Sequence, residues 1–225
     1  IVERLVIEIQ NICNEKIDEI AYIINDLEID VQENLKRIAK SFGAKATIYK
    51  QDKPLGTAHA VYCAKESLEG NVIVAFADTL FKANFVLDSE ADGVIWVKHV
   101  DDPRSFGVVK VNDQNVITEF IEHPKTPVSN LAIIGIYYFK QGEVLRDEIK
   151  YLIDNNIIAN GEYQLTVALE NMRNKNTKFK TASVDSWMDC GNKDATVKTN
   201  QRVLDSLNKD ELISKSAEIR NSVVV

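Results

Sequence analysis

Cysteines, glycine-rich loops, long apolar runs and basic stretches are all scarce in this 225-residue chain, and each scarcity excludes something. The three cysteines, Cys13, Cys63 and Cys190, are odd in number, far apart and form no CxxC pair. That excludes a disulfide framework and a thiolate zinc site and reads as reduced, cytoplasmic thiols. The longest uninterrupted apolar run, Leu131 to Phe139, is about half of the ~20 residues a membrane span requires. No signal-peptide pattern stands at the start, so a cytoplasmic protein with no membrane partner is expected. None of the nine glycines falls in a GxGxxG or P-loop arrangement, which removes those two phosphate cradles. Lys and Arg total 27 against 34 Asp and Glu, a net charge of −7, with no basic stripe. Nucleic acid is therefore not an expected partner.

With 45% hydrophobic and 27% charged residues, the composition is that of a globular protein. A chain of this length buries about 70% of its unfolded surface and needs no covalent staple. No Pro/Gly/Ser-rich linker and no internal repeat divides it. One domain over residues 1–207 is expected, with 208–225 as a tail. The chain opens without Met at Ile1, directly into an amphipathic pattern, and closes on Val223, Val224 and Val225. Apolar ends of this kind suggest an internal segment of a longer protein.

Val2, Leu5, Val6, Ile9 and Ile12 share one face at helical spacing. Ile20–Ile24 reads as a short buried strand. Asp30 with Glu33 forms a capping-box signature before a helix carrying Val31, Leu35, Ile38 and Ala39. Ala46–Tyr49 is a second strand and Thr57–Leu68 a further helix. Asn71–Ala77 is almost wholly apolar, as in a central parallel strand covered on both faces. This alternation predicts an α/β fold, a three-layer α/β/α sandwich with a mixed, mainly parallel sheet. Strands at 93–97, 107–111, 116–121 and 131–139, joined by polar turns, form its antiparallel portion. Helices follow at 142–154 and 162–174, the second with Leu165, Leu169 and Met172 on one stripe. A strand at 178–184 and a helix at 192–207 complete the body.

Asp78 lies just past the most apolar strand, and open α/β sheets bind ligands outside the carboxyl ends of their strands. A carboxylate there suits a hard cation. It equally suits a turn cap with Thr79. In Gln51–Val61, Pro54 and Gly56 punctuate a strand-to-helix connection, Gly56 permits close backbone approach, and Thr57 suits a helix cap. Asp189, in Trp187–Gly191, reads as a second metal carboxylate or as the N-cap of the last helix, with the cap favoured by position alone. Glu122-His123-Pro124 pairs an acid with a titratable base. His59 and His99 have no partners at metal-ligand spacing and receive no role. No Ser/His/Asp or Cys/His nucleophile pattern is recognisable.

Taken in order, Gln51 with PLGTAHAV, VAFADTLF, DDPRSFGVV, EHP followed by SNLAIIGIYYF, GEYQLT and WMDCG resemble the sugar-1-phosphate nucleotidylyltransferases. These stretches run from about residue 50 to 200. The resemblance implies a nucleotide-diphospho-sugar transferase fold and a reaction of a nucleoside triphosphate with a sugar-1-phosphate, giving an NDP-sugar and pyrophosphate. It implies base and ribose recognition by Gln51, Leu55, Gly56 and Thr57. It places Mg²⁺ on Asp78 and Asp189, and the sugar on Gly107, Glu122, Ile133 and Glu162, with Trp187 beside the metal carboxylate. Glucose-1-phosphate thymidylyltransferase activity is the leading expectation, mannose-1-phosphate guanylyltransferase the alternative, and a homo-oligomer is among the implied partners.

Three departures matter. The family's N-terminal Gly-rich loop with its Arg and Pro-Lys pair is absent from these residues, and so is the inner strand that feeds it, which should leave a gap in the core. His123 stands where the family has Lys on the sugar phosphate, so it is the one candidate for a catalytic group. Ala77 replaces a common Gly. The 225-residue chain by itself is therefore expected to be catalytically crippled, and a non-catalytic sugar-nucleotide-binding or regulatory module is a third reading. A glycosyltransferase of related architecture is disfavoured by WMDCG and GEYQLT. Ile219–Val224 fits one hexapeptide unit of a left-handed β-helix, or a frayed terminus.

Overall fold

The computed structural model describes residues 1–13, 15–126 and 128–207; the proposed β-helix segment lies outside them. Residues Ile1–Trp187 form one compact unit and a second begins at Met188. In the first unit, α1 (Val2–Ile12) buries Leu5, Val6, Ile9 and Ile12 on one face, as its periodicity predicts. Strands β1 (Glu19–Ile24) and β2 (Lys45–Lys50) pair in parallel, Glu19 opposite Lys45 through Ile24 opposite Lys50. The helix between them, α2 (Ile29–Ser41), starts one residue before Asp30, with Glu28 at its N-cap. The expected capping box does not form. Asp30 lies inside the first turn and accepts from the Val31 amide, and Glu33 pairs with Lys36. Leu35, Ile38 and Ala39 are buried, but Val31 is exposed.

The next helix, α3 (Thr57–Cys63), is shorter than expected and ends in a 3₁₀ turn at Lys65–Ser67. It leads to β3 (Val72–Ala75) and then to β4 (Thr79–Lys82), a strand the sequence pattern does not mark. The large sheet follows, with β5 (Gly93–His99), β6 (Gly107–Val111), β7 (Ile117–Glu122) and β8 (Leu131–Phe139). After α4 (Gly142–Asp154) and α5 (Leu165–Asn174) comes β9 (Phe179–Ser183). The strand β10 (Ser186–Asp189), also unmarked, runs into the second unit, whose described part ends in α6 (Lys193–Asp205).

The expected mixed sheet with flanking helices is present. Its described pairings are β7–β6–β8–β5–β9 with β3 on β8, and only β5–β9 among them is parallel. A further parallel pair, β1–β2, forms a separate two-stranded sheet. The apolar β3, expected to be covered on both faces inside a parallel sheet, has all four residues only half-buried and pairs antiparallel with β8. Its second edge has no partner among the described strands.

The main core lies between the large sheet and α3, α4 and α5. Ile95, Val97, Phe139 and Phe179 from the strands meet Leu145, Ile149, Leu165 and Leu169 from the helices. Each such side chain removed from water is worth about 1.5–3 kcal/mol. Alternation sends Trp96 to the opposite face, where its ring meets Phe85 at 5.8 Å.

One irregularity interrupts the pairing of β8. Between the pairs Ile95–Tyr137 and Val97–Ile133, β8 carries two more residues than β5. Gly135 sits in that excess with φ +83°, and a Cβ there would meet the Phe76 ring at 3.0 Å. On either side of this bulge, β3 and β6 use the same edge of β8. β3 ends opposite Ile136 and β6 begins opposite Ala132.

Candidate functional site

The interval between the end of β3 and the start of β6 is a pocket of about 350 Å³. The chain leaving β3 brings Phe76 and Asp78, the chain entering β6 brings Ser105, Phe106 and Gly107, and β8 floors it with Ile133, Gly135 and Tyr137. The end of β7 adds Glu122 and His123, and the start of α5 adds Gln164, Leu165 and Thr166, facing Thr57 of α3. Thus Thr57, Asp78, Gly107, Glu122, His123 and Ile133, anticipated from the sequence, come together around one space.

Their local chemistry is specific. Glu122 accepts from the Thr166 hydroxyl at 2.8 Å through Oε2 and lies 3.2 Å from His123 Nε2 through Oε1. A side chain at position 107 would meet the same carboxylate at 3.0 Å, which explains the glycine there. His123 has φ +44°, uncommon for a non-glycine residue, and its amide is held by the Phe106 carbonyl at 3.2 Å. Tyr137 is buried beside Phe76, and burial together with the Glu122 charge pushes its phenol well above the ordinary tyrosine range. It therefore stays a neutral donor. Asp78 is exposed and forms no hydrogen bond or ion pair with the described residues. The turn-cap alternative does not hold, because the Thr79 hydroxyl bonds instead to the Ile134 carbonyl at 2.9 Å.

The loop Gln51–Gly56 leads into Thr57, and none of its own residues lines the pocket. Gly56 has φ +116°, and an added Cβ would sit 2.6 and 2.7 Å from the Tyr163 backbone. Tyr163 N bonds to the Leu55 carbonyl and Ala58 N to the Tyr163 carbonyl, both at 2.9 Å. Thr57, expected as a helix cap, instead accepts the Leu165 amide at 2.9 Å, and Gly56 takes the N-cap position. The hydroxyl thus joins the two helices that border the pocket. Gln51 donates to the Gly56 carbonyl at 3.3 Å and to His59 Nδ1 at 3.0 Å. Leu55 is exposed in the same loop. Glu162 is exposed too and does not line the pocket, although its Cβ comes within 2.9 Å of a Cβ built on Gly56.

Trp187 packs edge-on against Phe106 at 4.9 Å, with its indole nitrogen buried and unpartnered. In the second unit, Asp189 Oδ1 accepts the Gly191 amide at 2.8 Å and its carbonyl accepts the Thr199 hydroxyl at 2.7 Å. Asn192, not Asp189, caps α6, through the Ala195 amide at 3.0 Å, so the cap reading of Asp189 is overturned.

Phe76, Phe106, Gly135, Tyr137 and Thr166 are not singled out by the sequence. A glycine inside the apolar run LAIIGIYYF is the available signal for the bulge, and the others follow only from knowing which strands share an edge. Among the described residues no group of three or more His, Cys, Asp or Glu assembles a cation site. The donor set nevertheless fits Mg²⁺ delivered with a substrate. That ion uses one or two carboxylates plus phosphate oxygens and water. A pocket lined by Asp78 and Glu122 requires a cation to receive an anion.

The chain matches the family model described as Nucleotidyl transferase over residues 4–206. It is 30% identical over 213 residues to the low-salt glycan biosynthesis nucleotidyltransferase Agl11 of Haloferax volcanii, covering 90% of this chain and 58% of that protein. It is 27% identical over 200 residues to a glucose-1-phosphate thymidylyltransferase of Streptomyces antibioticus, covering 85% and 54%. The chain therefore spans little more than half the length of these relatives. In fold it is similar to a UDP-glucose pyrophosphorylase solved with UDP-glucose, with a TM-score of 0.70 at 17% identity, covering 92% and 87%. It is also similar to a nucleoside-diphosphate-sugar pyrophosphorylase from Vibrio cholerae, with a TM-score of 0.69 at 18% identity, covering 81% and 80%. A model matched across nearly all of the described residues, on a sheet of this topology, places the chain in the nucleotidyl transferase family.

Proposed function

We propose that this chain is the nucleotide- and sugar-binding part of a sugar nucleotidyltransferase, which joins a nucleoside triphosphate to a sugar-1-phosphate and releases pyrophosphate. The carrying observation is the convergence of Thr57, Asp78, Gly107, Glu122, His123 and Ile133 on one pocket at the end of β3. Such transfers need positioning and charge neutralisation rather than a covalent nucleophile, which agrees with the lack of a nucleophile pattern. The family match over 4–206 supports treating 1–207 as one nucleotidyltransferase domain, with 208–225 as an appendage.

In this reading Gln51, Leu55, Gly56 and Thr57 receive the base and ribose. Gly107, Glu122, Ile133, Glu162 and Trp187 serve the sugar. His123, turned into the pocket by its left-handed backbone, meets the sugar phosphate. Asp78 would hold Mg²⁺, which would supply charge neutralisation at the phosphates when bound. A sugar-phosphate oxygen attacks the α-phosphorus in line, and pyrophosphate leaves. The thymidylyl reading is supported by the Streptomyces relative. A purely binding or regulatory role is the second reading, distinguished from the first by the pyrophosphate-release measurement below.

Two measurements test the proposal. Equilibrium binding of dTTP, UTP, GTP and CTP with Mg²⁺ is expected to weaken about tenfold or more in Asp78→Ala, the loss of one charge-assisted contact. Unchanged Mg²⁺-dependent affinity would remove Asp78 from the site. Pyrophosphate release from several NTP and sugar-1-phosphate pairs is expected to be far slower for the 225-residue chain than for a version carrying the loop, and equal turnover refutes the crippled reading.

A further inference from the structure

The fixed charges around the pocket at the end of β3 have the wrong sign for an anion. Asp78 and Glu122 line it, and among the described residues no lysine or arginine does. Tyr137 stays neutral, and the parts of α3 and α5 that border the space bring only uncharged side chains. On the chain entering β6, Arg104 is taken up by Asp102 through two contacts, at 2.8 and 2.6 Å. Lys125, two positions past His123, is exposed and does not line the pocket. Among the described residues His123 is therefore the one lining group able to become positive.

Geometry decides how that charge can arise. The His123 amide is held by the Phe106 carbonyl, which fixes the backbone at φ +44°. Its Nε2 stands 3.2 Å from Glu122 Oε1. A lone pair on Nε2 would face a carboxylate that can only accept, so the proton of the neutral ring belongs on Nε2. Nδ1 makes no hydrogen bond with the described residues and is then a bare lone pair. Phosphate oxygens are acceptors too, so the neutral ring has nothing to offer them. One added proton makes Nδ1 a donor and the ring a cation.

We propose that phosphate capture in this pocket is a proton-uptake step, with the proton entering on Nδ1 of His123. This rests on the reading that His123 meets the sugar phosphate. The ligand class is a phosphomonoester, whose own second ionisation lies at about pH 6, so that it arrives as a dianion. Only the N–H bond forms: the proton comes from solvent and returns to it when the phosphate leaves. The complex holds one more proton than its free partners, so affinity falls as pH rises above the imidazole range.

The test has two arms. In the free chain at about pH 8, where an ordinary imidazole is neutral, ¹H–¹⁵N spectra are expected to show the His123 proton on Nε2. A proton on Nδ1 overturns the inference whatever the ligand. In the second arm, glucose-1-phosphate and mannose-1-phosphate are titrated calorimetrically in two buffers of unequal ionisation heat. Uptake of about half a proton or more per bound phosphate is expected at about pH 8, with affinity about tenfold weaker at about pH 8.5 than at about pH 6.5. His123→Asn suits the left-handed backbone without bringing a charge, and is expected to bind more weakly at the lower pH and take up no proton. His123→Lys carries a permanent charge and is expected to bind without uptake, its affinity nearly flat across that range. Binding by the unaltered chain without uptake, or uptake that survives in His123→Asn, overturns the inference and leaves the proposed function standing. Absence of binding of both sugar phosphates at every pH instead removes the sugar-phosphate half of the proposed function, and this inference with it.

Discussion

The two parallel strand pairs of the first unit, β1–β2 and β5–β9, carry similarly apolar sequences but stand in opposite states. In β5, five consecutive residues from Gly93 to Val97 are buried, and Ile95, Trp96 and Val97 are wholly shielded. In β1 only Tyr22 is buried, Ile23 is 37% exposed, and no residue of β2 is fully covered. The cluster beneath β1–β2 consists of Tyr22, Leu35 and Ala39 with partly covered neighbours, and the Tyr22 hydroxyl is buried without a partner. β5 is sandwiched between β8 and β9, whereas β1 and β3 each keep an edge with no described partner. Hydrophobic sequence therefore does not by itself make a central strand; neighbours on both edges do.

The sharpest way to break this contrast is to delete a ring from one region and a branch from the other. Phe139→Ala removes a fully buried side chain packed on Phe179 at 6.2 Å and is expected to cost about 3–5 kcal/mol. Ile48→Ala in the half-buried β2 should cost about 1–2 kcal/mol, because less area leaves water on folding. Urea titration monitored by tryptophan fluorescence reads both. Equal losses would mean the two layers are equally packed.

The same contrast shows how much is legible in the sequence. β6, β8 and α4 match their predicted spans, because each combines a clear period with turn residues at both ends. β4 and β10 leave no such mark, since four residues are too few to establish a period. The apolar run at β3 reads as a strand covered on both faces because composition reports affinity for burial, not whether neighbours exist to supply it. At the pocket, Asp78, Gly107, Glu122 and His123 are legible from motif order. Tyr137 and Thr166 are not, because their roles depend on which strands border the bulge at Gly135. His59 has no metal-ligand spacing to give it a role, and its actual partner is an amide on a different element.

A smaller effect is expected where the two regions are latched. The loop leaving β2 reaches α3 through Gly56, whose positive φ and backbone contact with Tyr163 leave no room for a Cβ. Gly56→Ala should cost about 1–3 kcal/mol, the range for a residue forced into a sparsely populated backbone region, and should also weaken nucleotide binding. Gly70→Ala is the control. It has φ +61° with nothing within 4 Å, so it carries the backbone penalty without the collision. If both substitutions behave alike, the latch at Tyr163 contributes nothing beyond local conformation.

The smallest expected effect concerns Glu19, at the start of β1. Its carboxylate accepts from Thr47 on β2, from Lys45 at 3.1 Å and from Ser67 before β3 at 3.2 Å, so one side chain ties β1 to β2 and to the 3₁₀ turn at Lys65–Ser67. The Thr47 hydrogen bond is the largest cause holding this carboxyl below the ordinary glutamate value of 4.5. A carboxyl whose folded pKa is depressed adds stability that is fully present above the unfolded pKa and is lost as pH falls through the folded one. Stability of the unaltered chain should therefore fall with acid below about pH 4.5, more steeply than that of Glu19→Gln. The variant should lose only a modest amount at neutral pH, since the Lys45 partner is largely exposed and its pairing is screened by solvent. Urea midpoints measured between neutral pH and acid decide it. Parallel curves for the two proteins would mean that Glu19 is a surface charge and that β1 is held by its backbone pairing with β2 alone.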